Sequence, residues 1–473
     1  MSISDQLHQS EKFENLERIE REGLIDWVDK NMGGRVLRIW RQRRWRPVWH
    51  VDVEIDGAVR GLVFKGFRVW PIIPYSMQHE INMINVLKAH DVPVANVHGL
   101  CEFPPSIAMD RVGEARDAGM VLQSIEEGSK ISDTRWQASL SYMDILARMH
   151  SIPPAEFVKA GIKMPETPAE IALNHFEGFY QMMLDADIND PFMDFCRNWF
   201  YRNVPEHRTK VTYVTGDCGQ FLAEGKDIKI TIDHEIGHLG DPMHDLACYR
   251  GRHPVEDMGD LKALYKRYEE ATGDKVDIDA IGYHTAVFMA LAYLGPLFGV
   301  DQTMAGGDWA ESTVQSAFVG RRCAEGMAEI MGVTLDKSIT LPDPHPHPIE
   351  EAGLRKLICD MKKIPTSELF PEWQRDLLVA VPEYMINQFR YGHWVEQQDL
   401  DDVETLLGQR PANRVEADVA LRDFIAKAGP EHDEALIKLF YRRMLRWCHS
   451  IVGPDAPANH LVLLEMEPLD NLR

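Results

Sequence analysis

Residues 211–250, VTYVTGDCGQFLAEGKDIKITIDHEIGHLGDPMHDLACYR, carry two aspartates, Asp217 and Asp233, each ending a β-rich stretch on either side of a turn expected from Glu224 to Asp227. Hairpin geometry would bring both carboxylates into one cleft. Phosphoryl transfer asks for a carboxylate that accepts or orients an acceptor hydroxyl, and for oxygen ligands that hold magnesium against nucleotide phosphates. Two aspartates so placed can divide those tasks. Taken alone, Gly216 followed by Asp217 is an ordinary turn, so the reading depends on what surrounds the pair.

The elements that must position them follow from periodicity. Residues 10–31 have apolar positions at helical spacing and end at Gly33 and Gly34, which predicts an N-terminal helix. VLRIW, WHVDVEID and RGLVFKGF, with a turn at Asp56 and Gly57, predict a small antiparallel sheet over 36–70. YSMQHEINMINVLKAH predicts a helix, and VPVANVHGL and SIAMDRV predict strands broken by prolines. Residues 132–150, 165–204 and 277–332 read as mostly helical, so a helical lobe carries the hairpin. LPDPHPHP, 341–348, has four prolines in eight residues and predicts a linker. Beyond it, 349–453 is helical again, with PEWQRDLLVAVPEYMINQF and EALIKLFYRRMLRWCHSIV its clearest amphipathic stretches.

At 473 residues, 45% hydrophobic and 26% charged, the chain has ample material for more than one folded unit. A net charge of -23 argues against a surface that tracks nucleic acid or an anionic membrane. Seven scattered cysteines with no CxxC pair suggest neither a disulfide framework nor a thiolate zinc site, and fit a reducing compartment. The N-terminus is charged and no 18-residue run is apolar, so a cytoplasmic location is expected.

The 211–250 window resembles the catalytic and metal segments of the aminoglycoside phosphotransferase and choline kinase superfamily, which read roughly HGDxxxxN, a metal-binding Asp within DWE, then GDPxxDLA. By that resemblance Asp217 is the catalytic aspartate and Asp233 the metal ligand, with Glu235 two residues on. Gly240, Asp241, Pro242, Asp245, Leu246 and Ala247 match the tail, where Asp245 would hold backbone amides. Thr215 stands where the family's His is usual, and Leu222 where a metal-binding Asn is expected. Gln220, in a loop shortened by two residues, is the amide candidate for that second ligand. Upstream, RGLVFKGF resembles the strand whose basic residue grips the phosphates, which points to Lys65, and Glu80 resembles its carboxylate partner. SIAMDRVGE resembles the adenine-contacting hinge, which points to the backbone of Ala108, Met109 and Asp110. DVPVANVHGL and YMDILARMHSIPPAEFVKAGI resemble further family passages, so the likeness covers about residues 25–335.

The resemblance implies an α+β, two-lobed protein-kinase-like fold. Its expected parts are a helical segment at 1–32, a sheet N-lobe at 33–112, a helical C-lobe with the catalytic hairpin at 113–340, the linker at 341–348 and an accessory all-helical domain at 349–473. The implied function is transfer of the γ-phosphate of ATP, with Mg2+, to a hydroxyl of a small molecule, either a metabolite such as a hydroxyacyl-CoA or an aminoglycoside-like compound. A homodimer is the assembly to look for, with no nucleic-acid or membrane partner. A nucleotide-binding pseudokinase is the rival reading, motivated by Thr215 and Gln220, and a protein kinase is disfavoured because HRD and DFG signatures are absent. No glycine-rich loop is visible. In its place RQRRWRPVW, 41–49, offers four arginines, read equally as binders of phosphate or an anionic acceptor and as a charged edge that blocks strand pairing. His345 and His347 read as linker residues, Cys218 as a packing residue, and Tyr391 and Trp394 as core.

Overall fold

Strand alternation builds the sheet and decides which side chains face the site. Strands β1 (Arg35–Arg41), β2 (Val48–Ile55), β3 (Ala58–Gly66), β4 (Val97–Cys101) and β5 (Ser106–Asp110) form a five-stranded antiparallel sheet in the order β1-β2-β3-β5-β4. Asp56 and Gly57, both left-handed at φ 50° and 76°, close the β2–β3 hairpin as its right-handed twist requires. The register pairs Val48 with Lys65, His50 with Val63, and Val63 with Met109, so these share one face. Trp49, Val51, Leu62, Phe64 and Ala108 occupy the other, against Leu24, Trp27 and Val28 of α1 (Ile3–Met32). Trp27 also meets Phe64 edge-on at 5.3 Å and donates to the Leu100 carbonyl.

The computed structural model describes residues 3–43, 46–67, 73–113, 130–297, 309–366, 368–452 and 462–473. Arg44 of the arginine segment, the 68–70 end of the expected sheet, Glu114 of the hinge passage, 298–308 of the expected helical stretch and residue 453 lie outside these.

The helical lobe follows α2 (Met77–Ala89) and the sheet. It comprises α3 (Asp133–Ser151), α4 (Pro154–Lys159), α5 (Pro168–Asp185), α6 (Pro191–Arg202), α7 (Met243–Arg252), α8 (Leu261–Thr272), α9 (Ile278–Leu297) and α10 (Trp309–Met331). Two small ladders are set into it: β6 (Thr212–Val214) with β9 (His238–Gly240), and β7 (Phe221–Glu224) with β8 (Asp227–Thr231). The hairpin arms are therefore FLAE and DIKIT. VTYV, expected as an arm, pairs instead with the strand after Asp233, because Gly216 and Gly219, left-handed at φ 77° and 92°, turn the chain before β7.

Residues 333–347 form no helix or strand, which over 341–347 agrees with the linker that the prolines predict, and lead to α11 (Pro348–Met361), α12 (Leu369–Leu407), α13 (Arg414–Ile425), α14 (Asp433–Val452) and α15 (Leu469–Leu472). Helices α12 to α15 share buried clusters with the helical lobe, whereas α11 buries no residue. Phe440 of α14 packs 5.1 Å from Phe192 and 5.7 Å from Phe195 of α6, and Leu400, Val403, Leu421 and Leu436 belong to the same buried cluster as Phe176, Trp199 and Tyr283. The strap at 341–348 thus separates elements rather than cores. At its other end α12 reaches the sheet lobe, where Phe370 lies under the Arg41 guanidinium at 4.4 Å. Among the described residues no helix is long and apolar enough to cross a membrane.

Candidate active site

Alternation on β3 aims Lys65 into the cleft between the lobes, and Ser76 caps α2 by accepting from the His79 amide, which sets Glu80 in the first turn facing the same cleft. The Lys65 ammonium donates to Glu80 Oε1 at 2.6 Å and to Asp233 Oδ1 at 2.8 Å, with Glu235 Oε2 at 3.8 Å. Each carboxylate, nearly out of solvent, needs such a cation to offset its lost hydration.

Asp233 follows β8 in a left-handed conformation, φ 69°, which aspartate tolerates better than most residues. His234 pins that turn: Nδ1 pairs with the Tyr213 hydroxyl at 3.0 Å and Nε2 with the Thr231 hydroxyl at 2.9 Å. Burial pushes its pKa down to about 4, so it is neutral near pH 7. Arg46, from the turn between β1 and β2, forms an ion pair with Glu235 and lies 3.6 Å from Asp233 Oδ1.

Asp217 sits in the loop between β6 and β7. Arg252 of α7 donates to its Oδ1 through Nε at 3.1 Å and again through Nη2, while Gln220 Nε2 donates to Oδ2 at 3.2 Å. The Gln220 carbonyl accepts from the Ile232 amide at 3.1 Å, extending the β7–β8 ladder past Phe221 and Thr231. That bond brings the Asp217 loop beside Asp233 at the open end of the hairpin. Beneath it, Asp245 accepts from the Thr215 amide and hydroxyl, the Gly216 amide and His150, the amide-holding work expected of it. Asp241 is gripped through both oxygens by Arg208, at 2.9 and 2.8 Å.

The cleft encloses about 900 Å³, its open mouth included. Val63, Val94, Met109, Leu222 and Ile230 give it an apolar wall that suits a planar base, and Lys65, Glu80, Asp233 and Arg46 make the other end charged. Of the expected hinge residues Met109 and Asp110 line it, but Ala108 does not. Alternation on β5 turns Ala108 to the opposite face, fully buried with Phe64. The Asp110 amide is also committed, to the Asn96 carbonyl at 3.0 Å, and the lining runs on through Arg111 and Val112. Asp217 and Gln220 are not among the residues that line it, and the Gln220 amide nitrogen donates to Asp217.

Sequence reasoning did not single out Arg46 from its neighbours, and it missed His234 and Arg252. Arg252 had a signal: it falls seven residues after Asp245, two turns along one face of α7. His234 sits between Asp233 and Glu235, where the motif that this window resembles has Trp.

Among the described residues no three His, Cys, Asp or Glu side chains converge as a metal cage. Asp233 and Glu235 nevertheless suit a hard divalent ion, which takes one or two carboxylates and completes its shell with phosphate and water. The cationic head of Arg46 against both of them marks the spot as one that stabilises positive charge.

The architecture is that of a two-lobed, protein-kinase-like fold. No protein-family model and no curated protein matches the chain. It is similar to the solved macrolide 2′-phosphotransferase of Brachybacterium faecium, at 17% identity over 63% of this chain and 97% of that one, TM-score 0.43. It is also similar to a thermostable mutant of aminoglycoside phosphotransferase APH(4)-Ia in ternary complex with ADP and hygromycin B, at 10% identity over 64% and 98%, TM-score 0.44. A GDP complex of an aminoglycoside 2′-phosphotransferase-IIIa variant matches at 15% identity over 65% and 97%, TM-score 0.42.

Proposed function

We propose that this chain transfers the γ-phosphate of ATP to a hydroxyl group of a small molecule. The observation that carries the reading is the Lys65 ammonium held between Glu80 and Asp233 at the charged end of a cleft whose other wall is apolar. The base would lie against Val63, Met109 and Leu222, and Lys65, braced by Glu80, would bind the phosphate oxygens. Asp233 and Glu235, with the side-chain oxygen Oε1 of Gln220 as the remaining candidate, would hold Mg2+, which would supply positive charge to the β- and γ-phosphates.

Asp217 would accept the proton of the acceptor hydroxyl as its oxygen bonds the γ-phosphorus and the bond to the β–γ bridging oxygen breaks, releasing ADP. Arg252 and Gln220 fix the orientation of that carboxylate, one on each oxygen. In this reading 33–112 and 113–340 are the two catalytic lobes, and the acceptor is a hydroxylated metabolite, such as a hydroxyacyl thioester, in preference to an antibiotic.

The test is Asp217→Asn with ATP and Mg2+ against a panel of hydroxylated metabolites. Loss of transfer by about 10²- to 10⁴-fold is expected, with AMP-PNP affinity close to the parent's by calorimetry. Undiminished transfer in the variant would reject the role.

A further inference from the structure

The segment from Arg35 to Asp56 contains no glycine, so nothing there can wrap a phosphate as closely as a glycine-rich loop does. What the turn delivers is Arg46. Gln42 closes the turn by donating to the Val48 carbonyl at 2.9 Å, and the Gly66 amide donates to the Pro47 carbonyl at 2.7 Å. A Cβ on Gly66 would lie 2.6 Å from that carbonyl, so the glycine is what lets Pro47 sit on the end of β3. Arg46 is thereby anchored above Lys65 with 4% of its surface exposed and its guanidinium against Asp233 and Glu235.

We propose that Arg46 is a tethered counter-cation of the metal site, holding Asp233 and Glu235 while no nucleotide is bound and moving onto the phosphates when metal and nucleotide arrive. The proposal rests on the phosphotransferase reading above. Lys65 is engaged closely by Glu80 and Asp233, at 2.6 and 2.8 Å, and lies 3.8 Å from Glu235, so Glu235 relies on the Arg46 guanidinium, whose planar fork reaches both carboxylates. A divalent ion bound at about 2.1 Å from the same oxygens would meet the guanidinium as a like charge at contact. Metal alone must therefore displace Arg46 into solvent, whereas metal with a triphosphate gives it a new anionic partner. Metal and nucleotide are then positively coupled through one side chain.

The experiment is Mn2+ binding to nucleotide-free protein, read from the EPR signal of free Mn2+, in the parent and in Arg46→Gln, with AMP-PNP binding in EDTA measured alongside. Arg46→Gln is expected to bind Mn2+ about tenfold more tightly, as removal of a competing state demands, and to bind metal-free AMP-PNP more weakly than the parent. Unchanged or weaker Mn2+ binding in a variant with native melting behaviour overturns the proposal. If Arg46→Gln does not fold, Arg46→Lys is read instead: it keeps the charge but loses the planar guanidinium fork, so tighter Mn2+ binding supports the proposal and unchanged binding overturns it. AMP-PNP bound by both proteins with Mn2+ affinity indifferent to the substitution defeats the role of Arg46 alone. No AMP-PNP binding by either protein defeats the phosphotransferase reading, and this proposal with it.

Discussion

At the scale of single residues, the carboxylate that most constrains the site touches no substrate. Asp245 is fully buried, and its oxygens collect bonds from the Thr215 amide at 2.9 Å, the Thr215 hydroxyl at 2.8 Å, the Gly216 amide at 3.2 Å and His150 at 3.1 Å. Burial pushes its carboxyl up, but the bonds from His150 and Thr215 outweigh that and hold it below the usual carboxylate range. Asp245→Asn would turn an NH2 group toward donors that already point inward. We expect it to lower stability by about 3 kcal/mol in urea unfolding and to loosen the Asp217 loop, so transfer falls as well. A native unfolding midpoint would show that the loop is held by something else. Thr215, which stands where the motif this window resembles has His, thus has a hydrogen-bonding task. Lys65, Glu80 and Asp233 were legible because each sits in a short pattern of residue types. Arg46 was not, since it is one of four arginines in its segment and only tertiary structure picks out the one that meets Glu235, 189 positions away; Arg252 offered only its spacing from Asp245 along α7.

At the scale of elements, α5, β9, α7 and α9 meet through histidines. His175 stacks on His238 at 4.1 Å, His244 stands edge-on to His238 at 5.6 Å, and His284 lies 5.5 Å from His244. Tyr75, just before α2, bonds His175 Nδ1 at 2.8 Å and stacks on His79, which ties the helix bearing Glu80 to this row. Burial is the main cause that pushes His238 down to about 4, His244 to about 3 and His175 well below its ordinary value. The unfolded chain therefore binds more protons than the folded one below pH about 6.5, and stability must decline as pH falls from there toward about 4. For His238 alone the full excursion is worth about 3 kcal/mol. A melting temperature that drops over this window, with a shallower slope in His244→Phe, is the expected result; a flat profile would mean that these rings are charged or hydrated in the fold. The elements themselves were unevenly legible. The sheet announced itself by alternation, and the four prolines announced the strap. Helix α7 did not, because Met243 through Gly251 are buried all round and leave no periodic stripe. Helix α8 buries Leu261, Leu264, Tyr265 and Tyr268, helical spacing that was present in the sequence and simply unread.

At the scale of the molecule, the proline strap suggested a kinase core followed by a separate accessory domain, and the packing makes a sharper statement. Phe440 fills the space between Phe192 and Phe195, Leu436 and Cys448 lie in the same cluster, and Leu469 and Leu472 of α15 close the core around Leu264 and Ile281. Polar contacts cross the same boundary: the buried Arg250 and Arg322 donate to the Glu467 and Leu464 carbonyls, and the half-buried Arg422 donates to Asp194. Periodicity could not reveal this, because an amphipathic helix tells which face is buried but not against what. A chain cut at residue 340 would uncover the aromatic face of α6 and leave the Arg250 and Arg322 guanidiniums inside without those partners. Each exposed large apolar side chain costs about 1.5–3 kcal/mol, and a typical domain has only about 5–15 kcal/mol in hand. The truncated chain should therefore aggregate or give a broad, non-cooperative melt, while full-length protein unfolds in a single transition that includes the 349–473 helices. A soluble 1–340 fragment with a sharp melt and native nucleotide affinity would establish instead that the strap is a true domain boundary.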